Sequence, residues 1–108
     1  LSKYFKEAEY KMDADFLAKL DEARELADIP FIINSAYRSV EQNKKVGGKP
    51  NSSHLKGLAV DIKIKDSRTR YIVLNALIRV GFNRIGVAST FIHVDDDKEK
   101  SENVIWTY

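Results

Sequence analysis

Apolar and polar positions along the chain follow two periodicities. Between Ala14 and Asp28, Phe16, Leu17, Leu20, Ala23 and Ala27 recur at the spacing that lines one face of an α-helix. Asp13 is placed to cap that helix and Pro30 to end it. The pattern predicts a second long helix over residues 67–80, capped by Asp66 or Ser67 and stopped by Gly81, with Tyr71, Leu74, Leu77 and Ile78 on one face. A short helical turn is expected from Val40 to Val46, opened by Ser39 and closed by Gly47-Gly48. Strand-like runs cover 31–37, 58–64, 84–87, 91–95 and 104–108. Residues 1–11 read as a lead-in, residues 47–57 as a Gly- and Ser-rich loop, and 95–101 as a polar turn between the last two strands. Helix, strand, loop, strand, helix, then strands is the order of an α+β fold with a small antiparallel sheet and flanking helices.

Alternation within two strands separates an aliphatic side from a polar one. Leu58, Val60, Ile62 and Ile64 share a face, leaving Asp61 on the other with Ala59 and Lys63. Ile92 and Val94 share a face, leaving Phe91, His93 and Asp95 opposite. If these strands are neighbours, Asp61 and His93 meet on the polar side, and His54 reaches the same place from the loop before the first strand. His54 and His93 are the only histidines. Two imidazoles and a carboxylate suit zinc, and three protein ligands leave the open position of a catalytic site. Spacing alone leaves a plainer reading open, in which His93 is a satisfied strand residue and Asp61 pairs with a lysine.

Composition narrows the class. At 108 residues, with 44% hydrophobic and 31% charged positions, the chain fits one ordinary globular domain spanning 1–108. The net charge is +2 and the basic residues are scattered, with Lys44-Lys45 and Lys49, and Arg68-Thr69-Arg70, as the only groupings. A nucleic-acid-binding surface would want a concentrated basic stripe, so that class is disfavoured. The absence of cysteine excludes disulfides and thiolate ligands. No apolar run approaches the roughly 18 residues of a membrane span. The first residues lack the features of a signal peptide. The chain begins with Leu1 and not Met, so a fragment or a processed form is expected, with room for an export signal upstream.

A longer string of motifs adds to this. Ser35-Ala36-Tyr37-Arg38-Ser39, Asn43, Val46-Gly47-Gly48, the segment from Ser52-Ser53-His54 through Gly57-Leu58-Ala59-Val60-Asp61, and His93-Val94-Asp95 occur in that order. Together they resemble the zinc D-alanyl-D-alanine carboxypeptidase family, which includes endolysins and shares its fold with the Hedgehog signalling domain. The resemblance covers about residues 31–95. It implies that His54, Asp61 and His93 hold Zn2+, and that Arg38 and Ser52 hold substrate through a carboxylate or its backbone. A guanidinium can grip a carboxylate through two parallel hydrogen bonds, although an ion pair of Arg38 with Glu41 is the plainer alternative. Gly57 and Ala59 would let other groups approach the metal closely. Gly47-Gly48 would turn the Ser-rich loop over the site.

The sequence departs from the family at one important place. Members often carry an acidic or histidine general base shortly before the last ligand, and here residues 87–92 contain none. Asp95, on the same strand face as His93, is the candidate base or the partner that orients a ligand. Asp96 is the fallback, and a merely solvated Asp-rich turn is the third reading. Trp106 and Tyr108 read as core or edge packing before groove lining. The expected function is zinc-dependent hydrolysis of an amide bond next to a D-amino acid in peptidoglycan stem peptides, by a monomer acting on the cell wall. The alternative is a non-catalytic zinc-containing module that binds peptidoglycan or a protein.

Overall fold

The computed structural model describes residues 2–108; Leu1 of the lead-in lies outside them. Three helices, α1 (Ala14–Ala27), α2 (Val40–Lys45) and α3 (Ser67–Arg79), accompany five strands. The strands are β1 (Ile33–Ser35), β2 (Ala59–Lys63), β3 (Arg84–Val87), β4 (Phe91–Asp95) and β5 (Val104–Thr107). The sheet order is β1-β2-β4-β3-β5. The fold is thus α+β, as the pattern indicates. The first four strands pair antiparallel, whereas β5 joins β3 in parallel. The last two strands are therefore not a hairpin: residues 96–103 carry the chain past β3, and β5 pairs on its far side.

Local chemistry accounts for the helix ends. The Asp13 carboxylate accepts from the Phe16 backbone N–H at 2.9 Å, and that of Asp66 accepts from Thr69 at 2.8 Å. Each cap satisfies an otherwise orphaned amide and contributes about 1 kcal/mol. Ser39 and Gln42 exchange side-chain and backbone bonds across the start of α2. At its far end α1 stops at Asp28, which takes a left-handed conformation (φ 55°) ahead of Pro30.

Phe16, Leu17, Leu20 and Ala23 of α1 are buried. In α3 the buried stripe is Val73, Ala76 and Leu77, while Tyr71 and Ile78 are exposed. The expected face is therefore rotated. Val73, Ala76, Leu77 and Val80 follow the i, i+3, i+4, i+7 rule, and that set lies against α1 and the sheet.

The two helices cover the sheet face that presents Val60, Ile62, Ile85, Ile92 and Val94, all nearly inaccessible to solvent. This burial fixes the register of β2 on β4: Val60 opposes Val94, Asp61 opposes His93 and Ile62 opposes Ile92. Burying each such side chain is worth about 1.5–3 kcal/mol, so a one-residue slip, which would turn several of them outward, is prohibitive. The same register puts Asp61 and His93 side by side on the opposite face.

The Ser-rich loop is more ordered than its composition suggests. It contains a 3-10 helix, Ser53–Lys56, closed by Gly57 at φ 69°. A Cβ on Gly57 would stand 2.1 Å from the Lys11 carbonyl oxygen. The Gly57 carbonyl in turn accepts from the Asp13 N–H at 2.9 Å. Gly57 thus lets the loop close onto the start of α1, rather than opening space beside a metal as expected.

Candidate metal centre

Three elements deliver the three predicted ligand residues to one point. Asp61 comes from β2, His93 from β4 and His54 from the 3-10 helix that leads into β2. One ligand atom from each lies within 4.8 Å of the others. Asp61 Oδ1 is 3.3 Å from His54 Nε2 and 3.0 Å from His93 Nδ1. Ligand atoms bound to tetrahedral zinc at 2.0–2.1 Å stand about 3.3 Å apart, so the two separations from Asp61 are close to those of such a site.

Both imidazoles are held from behind. His54 Nδ1 donates to the Ala36 carbonyl at 2.7 Å, which turns Nε2 towards Asp61. The His54 carbonyl also accepts from the Arg38 N–H at 3.1 Å, and Ser52 Oγ accepts from the His54 N–H at 3.2 Å. His93 Nε2 donates to Asp95 Oδ2 at 2.7 Å, which leaves Nδ1 on the Asp61 side. With those nitrogens engaged, the nitrogen of each ring that faces Asp61 is the one a metal would take, in place of a proton shared with the carboxylate.

Asp95 is buried, and both its oxygens are engaged. Besides His93, it accepts from Arg84 Nε at 2.7 Å and from the Asp97 N–H at 3.2 Å, both on Oδ1. It sits across the His93 ring from Asp61. Asp96 pairs with Lys98 at 3.1 Å and, more distantly, with Lys19, and does not line the cleft. Nor is the Asp-rich stretch a solvated turn: Asp95 and Asp97 are among the most buried side chains in the protein.

The charges follow from these contacts. Burial alone would raise the pKa of Asp61, but hydrogen bonds from His54 and His93 outweigh it and hold the carboxyl far below its ordinary range. Burial would lower the pKa of His93; Asp61 and Asp95, one at each ring nitrogen, raise it instead. Asp95 and Asp97 are likewise pushed up by burial and pulled down further by their donors, His93 and Arg84 for the first and Ser53 and Lys56 for the second.

Arg38 does not pair with Glu41. Its Nη2 contacts Asp61 Oδ2 at 3.3 Å, Nη1 donates to Asn43 Oδ1 at 3.2 Å and Nε donates to Ser35 Oγ at 3.0 Å. Arg38 and Ser52 both face a cleft of about 570 Å³ above the histidines. Lys49 and Lys100 add positive charge to it, and Phe91, Trp106 and Tyr108 supply an aromatic wall. Trp106 and Tyr108 are therefore groove residues more than packing residues. The reason is Gly86, which pairs with His93 on one side and Trp106 on the other. A Cβ there would meet Trp106 Nε1 at 2.5 Å, so its absence lets the indole lean to 5.6 Å from the His93 ring.

Sequence reasoning missed Arg84 and Asp97, and it named Asn43 within the motif string without giving it the role of holding Arg38. Arg84 carried a usable signal, since β3 on β4 pairs Ile85 with Val94 and so sets Arg84 beside Asp95 on the polar face. Asp97 carried none, because one Asp in an acidic run looks like any other. The described residues include no helix long and apolar enough to cross a membrane.

A comparison with curated proteins finds no match. The family model described as Peptidase M15 matches residues 3–95, which take in every helix, four of the five strands and all three clustered residues, and the chain belongs to that family of zinc-dependent, D-alanyl-D-alanine carboxypeptidase-like peptidases.

Proposed function

We propose that the chain is a zinc-dependent peptidoglycan peptidase that hydrolyses an amide bond next to a D-amino acid in cell-wall stem peptides. The observation that carries this reading is the convergence of His54 Nε2, Asp61 Oδ1 and His93 Nδ1, all within 4.8 Å of one another, beneath an open cleft. Zinc held there supplies Lewis acidity that polarises an amide carbonyl and activates water. The remaining work falls to the chain's own side chains. His54, Asp61 and His93 bind the ion. Arg38 has a second hydrogen left on each Nη nitrogen, and these can take a substrate carboxylate while Ser35 and Asn43 hold the guanidinium in place. Ser52 faces the same cleft and keeps a hydroxyl hydrogen for the substrate backbone.

Of the two roles open to Asp95, its contacts favour orientation. A buried carboxylate whose oxygens already accept from His93, Arg84 and the Asp97 amide has little capacity left for a water proton. Among the described residues the acids facing the cleft are Asp61 and Asp95, and both are engaged. That observation favours the second reading, a zinc-containing module that binds peptidoglycan without cutting it.

Digestion of purified cell walls of several cross-link types with zinc-loaded protein, followed by mass spectrometry of the muropeptides, separates the two readings. Peptidase action is expected to give shortened or uncross-linked peptides, and His93→Ala to give none. Intact muropeptides from every wall, with the metal site filled, would contradict the peptidase reading and leave binding, which co-sedimentation detects.

For Arg38, loss of a charge-assisted contact worth about 1.5–3 kcal/mol is expected to lower kcat/KM roughly ten- to hundredfold in Arg38→Ala. Zinc content should stay stoichiometric; unchanged kcat/KM would remove the anchor role. For Asp95, the orienting role predicts that Asp95→Asn weakens zinc affinity by about tenfold or more. Lost turnover at unchanged zinc affinity would instead give Asp95 the proton-accepting role.

A further inference from the structure

Asp97 lies beyond the residues matched by the family model and is one of the least accessible side chains in the chain, at 1% exposure. Its carboxylate gathers partners from two segments. Ser53 Oγ donates to Oδ2 at 2.8 Å, and Lys56 Nζ reaches both oxygens at 3.0 and 3.1 Å. The Glu99 N–H donates to Oδ1 at 3.2 Å. Lys100 Nζ donates to Ser53 Oγ at 2.9 Å and stands 3.7 Å from Oδ2. Ser53 and Lys56 begin and end the 3-10 helix that carries His54. The Asp97 backbone N–H meanwhile donates to Asp95 Oδ1, and Asp95 Oδ2 holds His93. One residue thus touches the supports of both histidines, through its side chain on one side and its amide on the other.

We infer that Asp97 is a positioning residue that sets the distance between His54 and His93 by bonding the helix of the first to the carboxylate partner of the second. The inference rests on the zinc reading above. Without the carboxylate, Lys56 keeps only its pair with the exposed Glu99, and Ser53 keeps only its bond from Lys100, so the helix bearing His54 loses its buried anchor on this side. The His93 side is less affected, because an alanine amide can still reach Asp95. The loss should therefore fall on His54, and distort the site more than it empties it.

The test measures zinc affinity by chelator competition, the visible spectrum of the cobalt-substituted protein, and the unfolding midpoint of the metal-free protein. Asp97→Ala is expected to bind zinc at least about tenfold more weakly and to shift the cobalt bands. Asp96→Ala, on the neighbouring residue, should change neither. A purely structural role would lower the metal-free unfolding midpoint while leaving affinity and spectrum as in wild type, and that result would overturn the inference. If Asp97→Ala does not fold, Asp97→Asn decides. It keeps an oxygen for Ser53 but loses the charge facing the lysines, so a weaker affinity and a shifted spectrum are expected, and wild-type values in both would overturn the inference. Wild-type protein that takes up no zinc would remove the zinc reading and this inference with it. Wild-type protein that binds zinc, beside an Asp97→Ala protein of equal affinity and spectrum, would remove the inference alone.

Discussion

One carboxylate oxygen, Asp61 Oδ1, stands within 3.3 Å of a nitrogen on each of two imidazoles, and the rest of the site is arranged around that triangle. Its geometry is set on the other face of the sheet. Val60 and Ile62 on β2, and Ile92 and Val94 on β4, are committed to the core beneath α1 and α3, and they oppose one another in a single register. Asp61 and His93 lie between those pairs and have no freedom to slide. The apolar core thus places the ligands, at no cost to the polar face, because strand residues alternate sides.

The polar face must then stabilise several ionised groups with little water. It does so by alternating carboxylates with nitrogen-bearing side chains. Arg84 contacts Asp95, Asp95 holds His93, His93 contacts Asp61, and Asp61 contacts both His54 and Arg38. Desolvation alone would neutralise these carboxylates, and each is kept ionised by donors on its neighbours. No buried side-chain nitrogen or oxygen among the described residues lacks a partner. Such a chain is demanding of geometry, since removing one member leaves the next buried and unpaired. The same connectivity makes the centre rigid, as an ion with a fixed coordination geometry requires.

The sequence was most legible where periodicity and burial agree. β3 and β4 fall where alternation puts them, and the shared face of Asp61 and His93 follows from β2 and β4 being neighbours. Boundaries were less legible where tertiary contacts decide. β1 extends only over Ile33–Ser35, within a longer apolar run that also supplies the core with Phe31. The buried face of α3 is turned because the packing of Val73, Ala76 and Leu77 against α1 outweighs the larger but exposed Tyr71 and Ile78. Least legible were the residues that act through others. The approach of Trp106 across Gly86 depends on β5 crossing to the far side of β3, and the carboxylate of Asp97 is closed in by Ser53 and Lys56, more than 40 residues earlier in the chain. No local pattern in the chain announces that crossing. The family's missing acid before His93 was visible from the start; the structure adds that Asp95 already accepts three hydrogen bonds, from His93, Arg84 and the Asp97 amide.

The most direct test of this account is diffraction from zinc-soaked crystals, with anomalous data collected on both sides of the zinc edge. The account requires one strong peak per chain, bonded to His54 Nε2, an Asp61 oxygen and His93 Nδ1, and its loss in His54→Ala and His93→Ala. A peak held by other residues, or zinc retained stoichiometrically in both variants, would contradict it.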